Sequence, residues 1–218
     1  QEETTLAAND YEVSVICPTG LGYNAKYEVI GGIHIYRHNL PVEADGMLGY
    51  VLEYSAALFW EFTLAWRVLM TRGFDVIHAC NPPDNLFIIG LFFKLFGKKY
   101  LFDHHDINPE HYEDKFGTKG LFYKLMLLLE RCTFSVADVS IATNESFKKI
   151  AIQRGGMRPD KVFVVRSGPD MGRIKIIPAV EAIKKNRRYL VGYVGIMGKQ
   201  DGVDYLIRAA NHIIKNVG

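Results

Sequence analysis

Short apolar runs rich in Val, Ile and Tyr recur along the chain, at Glu12 to Cys17, Ile33 to His38, Asp75 to Cys80, Tyr100 to His104, Val139 to Thr143, Val162 to Arg166 and Tyr189 to Gly195. Most are nearly continuous in apolar character, the form a strand takes in a sheet covered on both faces. Between them lie longer segments with apolar residues at helical spacing, at Gly46 to Arg72, Asp84 to Phe96, Gly120 to Ser135, Glu145 to Arg154 and Gly202 to Asn216. Gln1 to Ala8 reads as the inside of a further helix that ends at Asn9-Asp10. Strand and helix mostly alternate, which predicts βαβ units in a parallel sheet and an α/β fold. In such sheets the ligand crevice lies beyond the carboxyl ends of the strands. Candidate chemistry is therefore sought just after each one.

Pro169 to Arg188 interrupts this rhythm with two prolines, a basic run and weak periodicity, and Tyr189 then opens a fresh strand. The expected organisation is a domain over 1–168, a linker over 169–188 and the start of a second domain over 189–218. The chain opens inside a helix and closes after one strand-helix unit, so it is expected to be a fragment.

Composition narrows the function classes. With 49% hydrophobic and 23% charged residues, the chain has material for a core. Its 26 basic and 24 acidic side chains leave a net charge of +2, which makes nucleic acid an unexpected partner. Three separated cysteines, Cys17, Cys80 and Cys132, form neither a disulfide framework nor a zinc knuckle, and they fit a reducing, cytoplasmic setting. No apolar stretch approaches the roughly 20 residues of a bilayer span. Leu91 to Lys99 and Leu121 to Arg131 do combine bulky apolar side chains with lysines or arginine. Such segments either dock on an anionic membrane surface or pack on a sheet with their cations at the wet edge.

The densest polar cluster, Asp103-His104-His105-Asp106-Ile107-Asn108-Pro109-Glu110-His111, follows the strand around Tyr100-Leu101-Phe102. Alternation puts Tyr100, Phe102 and His104 on one face and Leu101, Asp103 and His105 on the other. His105 is then last in the strand and nearest the crevice. An imidazole there can hydrogen-bond a hydroxyl near neutral pH, with Asp103 or Asp106 fixing its tautomer. The cluster also reads as a cap, in which Asp106 and Asn108 bond backbone amides in a turn before Pro109. Asp103, His104 and Asp106 join His105 as crevice candidates. A divalent metal on His104, His105, Asp106 and His111 is disfavoured because adjacent strand histidines point to opposite faces, and no metal site is expected.

Tyr193 to Gly202 passes from a strand through a loop with Gly195, Gly198 and Gly202 into a helix. Glycines let backbone amides approach a phosphate, and a helix N-terminus adds partial positive charge. The spacing is neither a dinucleotide fingerprint nor a Walker loop, and a plain strand-helix turn is the alternative. Asn144, before Glu145-Ser146, is an N-cap at a position that also faces the crevice, so Asn144 and Glu145 join the crevice candidates. Arg166-Ser167-Gly168-Pro169 is a candidate hinge, and Cys80-Asn81-Pro82-Pro83-Asp84 reads as a turn plus cap.

These stretches occur in an order that resembles the nucleotide-sugar-dependent glycosyltransferases of family 4, which have the two-domain GT-B fold. QEETTLAANDYEVSVICP, FDVIHACNPPD, FDHHDINPE, ADVSIATNES, KVFVVRSGPD and GYVGIMGKQDGVDYLIRA carry the resemblance across nearly the whole chain. It implies a Rossmann-like acceptor-side domain without its first strand, then the first unit of a Rossmann-like domain that binds the nucleotide sugar. It also implies retention of anomeric configuration, no metal and no cofactor, with the nucleotide sugar as co-substrate. The family histidine that contacts the transferring sugar or the acceptor falls on His105. The family's donor-diphosphate loop falls on Gly195, Gly198, Lys199 and Gly202.

There are departures from the family pattern. Ile196 and Asp201 stand where many members have Arg and Lys, cations that neutralise the leaving diphosphate. Lys199 is in a different register. The expected activity is transfer of a sugar from a nucleotide donor to a polysaccharide or lipid-linked acceptor, at the inner face of the membrane or in the cytoplasm. The fragment itself is expected to be inactive. An acceptor-binding or membrane-recruiting subunit and a sugar-nucleotide epimerase of the same fold are the alternatives.

Overall fold

A computed structural model describes residues 2–20, 22–39, 46–166, 168, 172, 174–175, 177–178, 180–185, 189–195, 197–198 and 201–216. The chain divides into two compact units, Gln1–Ser167 and Gly168–Gly218. Ser167, Pro169, Ile196 and Lys199, with much of the expected linker, lie outside the described residues.

The first unit holds two sheets. Strands β4 (Val76–Cys80), β5 (Lys99–His104), β6 (Val139–Ala142) and β7 (Val162–Val164) form a parallel sheet in that order. The intervening helices are α3 (Phe87–Lys94), α4 (Asn108–Phe116), α5 (Leu121–Val136) and α6 (Glu145–Gln153). The register aligns Ala79, Phe102, Ser140 and Val162 in one row, and all four are buried. Phe87 of α3, Phe134 and Val136 of α5, and Ala151 and Ile152 of α6 pack on that row's face. The adjacent row, Cys80, Asp103, Ile141 and Phe163, is more open, with Phe163 and Cys80 exposed.

Coverage of both faces, expected from the apolar strands, is therefore corrected for this sheet among the described residues. Consecutive strands are added in one direction, and parallel crossovers are right-handed, so every crossover helix falls on the same face. The apolar runs are satisfied on one side. The other side is left to carry polar residues at the strand ends.

The second sheet has order β1-β3-β2, with β1 (Ser14–Pro18) parallel to β3 (Ile33–His38) and β2 (Tyr27–Ile30) antiparallel to it. Strand β2 adds to the predicted set. Ile30 pairs with Ile33 across Gly31 and Gly32, whose φ angles are +57° and +84°. Two successive left-handed residues make the tight turn whose twist suits a hairpin, and glycine adopts it without a Cβ clash. Helix α2 (Gly46–Thr71) packs on β1 and β3. Its Ala65 meets Ile89 and Phe93 of α3, and Ile16 of β1 and Ile77 of β4 pack on the same cluster, so one apolar core ties the two sheets together. A short helix α1 (Glu2–Ala8) precedes β1.

Two further expectations are corrected. The polar run after β5 continues into helix α4, with Pro109 in its first turn, where the missing N–H costs nothing. Its N-cap residue is Ile107 and no side chain caps it, so Asp106 and Asn108 do not play the capping role. In the second unit, Tyr189 to Gly195 is not a strand: no ladder pairs it among the described residues, and Val191 and Val194 are exposed. An apolar run becomes a strand only when a neighbour takes its backbone hydrogen bonds. Among the described residues that unit's regular elements are a 3-10 turn at Glu181–Lys184 and helix α7 (Val203–Asn216), whose apolar Tyr205, Ile207 and Ile214 are exposed.

Candidate functional site

Strands β4 and β5 end side by side, Cys80 opposite Asp103, and the chain leaving them is held by Asn81. Asn81 is 5% exposed. Its Oδ1 accepts from the backbone amides of His105 at 2.9 Å and Asp106 at 3.2 Å. Its Nδ2 donates to the Asp106 carbonyl at 2.6 Å and to Asp84 Oδ1 at 2.9 Å. All the bonding capacity of a side-chain amide is thereby used, so the loop after β5 is clamped in a single conformation. Asp84 in turn accepts from Asn108 Nδ2 at 2.6 Å, and its carbonyl accepts from Thr133 Oγ1 of α5 at 2.9 Å. Burial pushes the Asp84 carboxyl up, against the pull of its bonds to Asn108 and Asn81.

On this frame, His105 Nε2 meets Asp103 Oδ2 at 2.8 Å. The same oxygen lies 3.3 Å from His78 Nε2 and 3.6 Å from Cys80 Sγ. Asp103 is 3% exposed. Burial works to raise its pKa, but hydrogen bonds from His78 and His105 outweigh that and hold the carboxyl below its usual range. His78 moves the other way, since its bond to the Asp103 carboxylate overcomes burial and raises it. Although the residue as a whole is exposed, enclosure around its sulfur, with Asp103 beside it, pushes the Cys80 thiol up to about 12, so Cys80 is a neutral thiol rather than a nucleophile at neutral pH. The His105 side chain is 39% exposed over this buried carboxylate. One ring nitrogen is oriented from beneath, which leaves the other to meet a hydroxyl or a developing charge.

The remaining candidates separate. His104 is wholly buried, packed on Phe102, Phe134 and Phe147 at ring distances of 5.6, 5.2 and 4.9 Å. Burial, then the Arg154 charge, lowers its pKa to about 4. It is a neutral core imidazole, which corrects its placement in the crevice set: alternation turns it away from His105. Asp106 is held through its backbone. Asn144 Oδ1 accepts from the amides of Ser146 at 2.9 Å and Phe147 at 3.0 Å, capping α6, and Glu145 sits in that helix's first turn.

Glu110, in α4, joins a part-buried ion network with Arg154. The Arg154 guanidinium bonds both Glu110 oxygens and both oxygens of Glu130, whose Oε1 and Oε2 lie at 2.7 and 2.6 Å. This pins α4, α5 and α6 together behind the His105 loop.

In the second unit, the Gly198 amide donates to Asp201 Oδ2 at 2.7 Å, and Gly202 has a φ of +61°. A Cβ on Gly195 would lie 3.0 Å from Tyr193 Oη. The loop amide that would greet a phosphate is thus engaged by the chain's own carboxylate.

Sequence reading took Cys80 to Asp84 for a turn plus cap, without the clamp of Asn81 and Asp84, and did not single out His78. The available signal was position, since Cys80 to Asp84 directly follows a strand whose neighbour carries His105.

The structure of sucrose-phosphate synthase from Thermosynechococcus elongatus resembles this one with a TM-score of 0.65 at 14% identity, over 97% of this chain and 52% of that one. The chain thus spans about half the length of that protein, and the likeness shows the fold, a Rossmann-like α/β architecture. A search of curated proteins gives no significant match. Residues 4–173, which include the Asn81 clamp, Asp103 and His105, match the sequence pattern of Glycosyltransferase Family 4, and on that span the chain belongs to this family.

Proposed function

We propose that the protein carrying this chain transfers a sugar from a nucleotide donor to a polysaccharide or lipid-linked acceptor, with retention of configuration and without a metal in the reaction. The observation that carries the reading is His105, part-exposed at the carboxyl end of β5, with its ring oriented by buried Asp103 and its backbone clamped by Asn81. Family membership supports the reaction class. Catalysis of this kind rests on holding reactants in register and on stabilising the charge that develops as the diphosphate leaves. His105 holds a donor or acceptor hydroxyl; Asp103 and Asn81 are positioning residues that act through it. The setting proposed is the cytoplasm or the inner membrane face.

The test is turnover of full-length protein with and without acceptor. His105→Ala should lower kcat about 100-fold while leaving the unfolding midpoint in place. Wild-type turnover in that variant overturns the role.

A second reading is favoured by the bond from the Gly198 amide to Asp201. A loop closed on its own anion suits an acceptor-binding or membrane-recruiting subunit that takes its donor site from a partner. Product analysis separates the readings: glycoside for a transferase, no product for the subunit, and an altered free sugar with no need of acceptor for an epimerase.

A further inference from the structure

The open face of the β4–β7 sheet carries a donor set of which the transferase reading uses Asp103 alone. His78 and Cys80 are two apart on β4 and so project to the same face, and Cys80 pairs in register with Asp103 of β5. Their ligand atoms all lie within 4.8 Å of one another. Nitrogen, sulfur and carboxylate oxygen together suit a borderline-soft divalent ion.

Two of the three separations match the edges of a coordination tetrahedron. With metal bonds of about 2.0 Å to nitrogen and oxygen and about 2.3 Å to sulfur, tetrahedral geometry sets N···O near about 3.3 Å and S···O near about 3.5 Å. The observed values are 3.3 Å for His78 Nε2 to Asp103 Oδ2 and 3.6 Å for Cys80 Sγ to the same oxygen.

The local field has the right sign. Glu2 Oε2 lies 3.7 Å from His78 Nε2, and the charges of Glu2, Glu3 and Asp103 all act on Cys80. Access is open as well, because His78 and Cys80 are exposed while Asp103 forms the floor.

We propose that His78, Cys80 and Asp103 form a three-ligand site for a zinc-class divalent ion, with its fourth position open. The site touches the reaction only through Asp103. Its occupation draws the Asp103 carboxylate away from His105 and so lowers turnover, a consequence that rests on the transferase reading. Binding itself does not.

The test uses full-length protein without a polyhistidine tag, stripped of metal and titrated with Co²⁺, then with Zn²⁺ in competition. Wild type should take up one Co²⁺ with visible bands of tetrahedral intensity and a thiolate-to-cobalt charge-transfer band, and one Zn²⁺ should abolish both. Cys80→Ser should lose the charge-transfer band. His78→Ala and Asp103→Asn should each weaken Zn²⁺ binding at least about 10-fold, while His34→Ala leaves it unchanged. Zn²⁺ should raise the unfolding midpoint of wild type more than that of Cys80→Ser, and circular dichroism shows that each variant is folded.

Absence of the thiolate band in wild type overturns the site, as does wild-type Zn²⁺ affinity in folded Cys80→Ser and His78→Ala. Metal binding with no loss of turnover in wild type overturns only the consequence for His105.

Discussion

Burial of His104 makes a quantitative prediction about acid stability. The side chain is fully enclosed by Phe102, Phe134 and Phe147, and its pKa falls from the usual 6.5 to about 4. The unfolded chain therefore binds a proton that the folded chain refuses between those two values, so stability declines as pH falls through that window. At about 1.36 kcal/mol per pH unit, the full effect is about 3 kcal/mol, of which about 2 kcal/mol is lost by pH 4.5. Against a typical 5–15 kcal/mol for a domain, roughly, that is a large share. The assay is urea denaturation at pH 7 and pH 4.5 for wild type and His104→Leu. Other groups titrate too. Asp103 and Glu110 are held low, so their contributions persist until more acid conditions, while buried Glu130 is raised and acts in the opposite sense. These are shared by both proteins, so the difference in pH dependence isolates His104. The variant should lose about 2 kcal/mol less than wild type over this interval, whatever its stability at pH 7. Equal losses would refute the argument.

Three other outcomes follow from the same structure. Arg154→Met leaves Glu130, with a side chain 3% exposed, as an uncompensated buried charge, and should cost about 3–5 kcal/mol in denaturant unfolding; adding Glu130→Gln should recover part of it. Asn81→Leu removes the clamp on His105 and Asp106, so it should lower both stability, by about 1–3 kcal/mol, and transfer activity, whereas a loss of stability alone would detach the clamp from the chemistry. Leu91, Leu95 and Leu121 are exposed at 54%, 80% and 80%, beside the lysines of their segments, and no helix among the described residues is long and apolar enough to cross a membrane. Co-sedimentation with anionic liposomes at low salt is expected, weakened by Leu95→Ser with Leu121→Ser; unchanged sedimentation in wild type would remove the docking reading.

What the sequence made legible was set by local signals. Alternation separated His104 from His105 correctly because it depends only on the backbone pleat, yet it could not say that the His104 face is the core. That depends on α5 and α6 delivering Phe134 and Phe147. The hairpin was written in Ile30-Gly31-Gly32-Ile33, two glycines between apolar residues, and was overlooked because β2 is only four residues long and carries Glu28 in its middle. Helix α4 was hidden by its polarity: its stability comes from Glu110 bonding Arg154, more than forty residues away. Asn81 was invisible for the same reason, since its partners His105 and Asp106 lie 24 and 25 residues on. Tyr189 to Gly195 shows the converse, an apolar run that has no pairing partner among the described residues to make it a strand.

The central claim is that Asp103-oriented His105 serves sugar transfer. Its most direct test is a product assay of full-length protein with a panel of labelled nucleotide sugars and glycan or lipid-linked acceptors, comparing wild type, His105→Ala and Asp103→Asn at matched folded concentration. The account predicts an acceptor-dependent glycoside from wild type, its near loss in His105→Ala and an intermediate rate in Asp103→Asn, where the ring keeps its place but loses its charged partner. A glycoside formed equally by all three proteins, or turnover that never requires an acceptor, would contradict it.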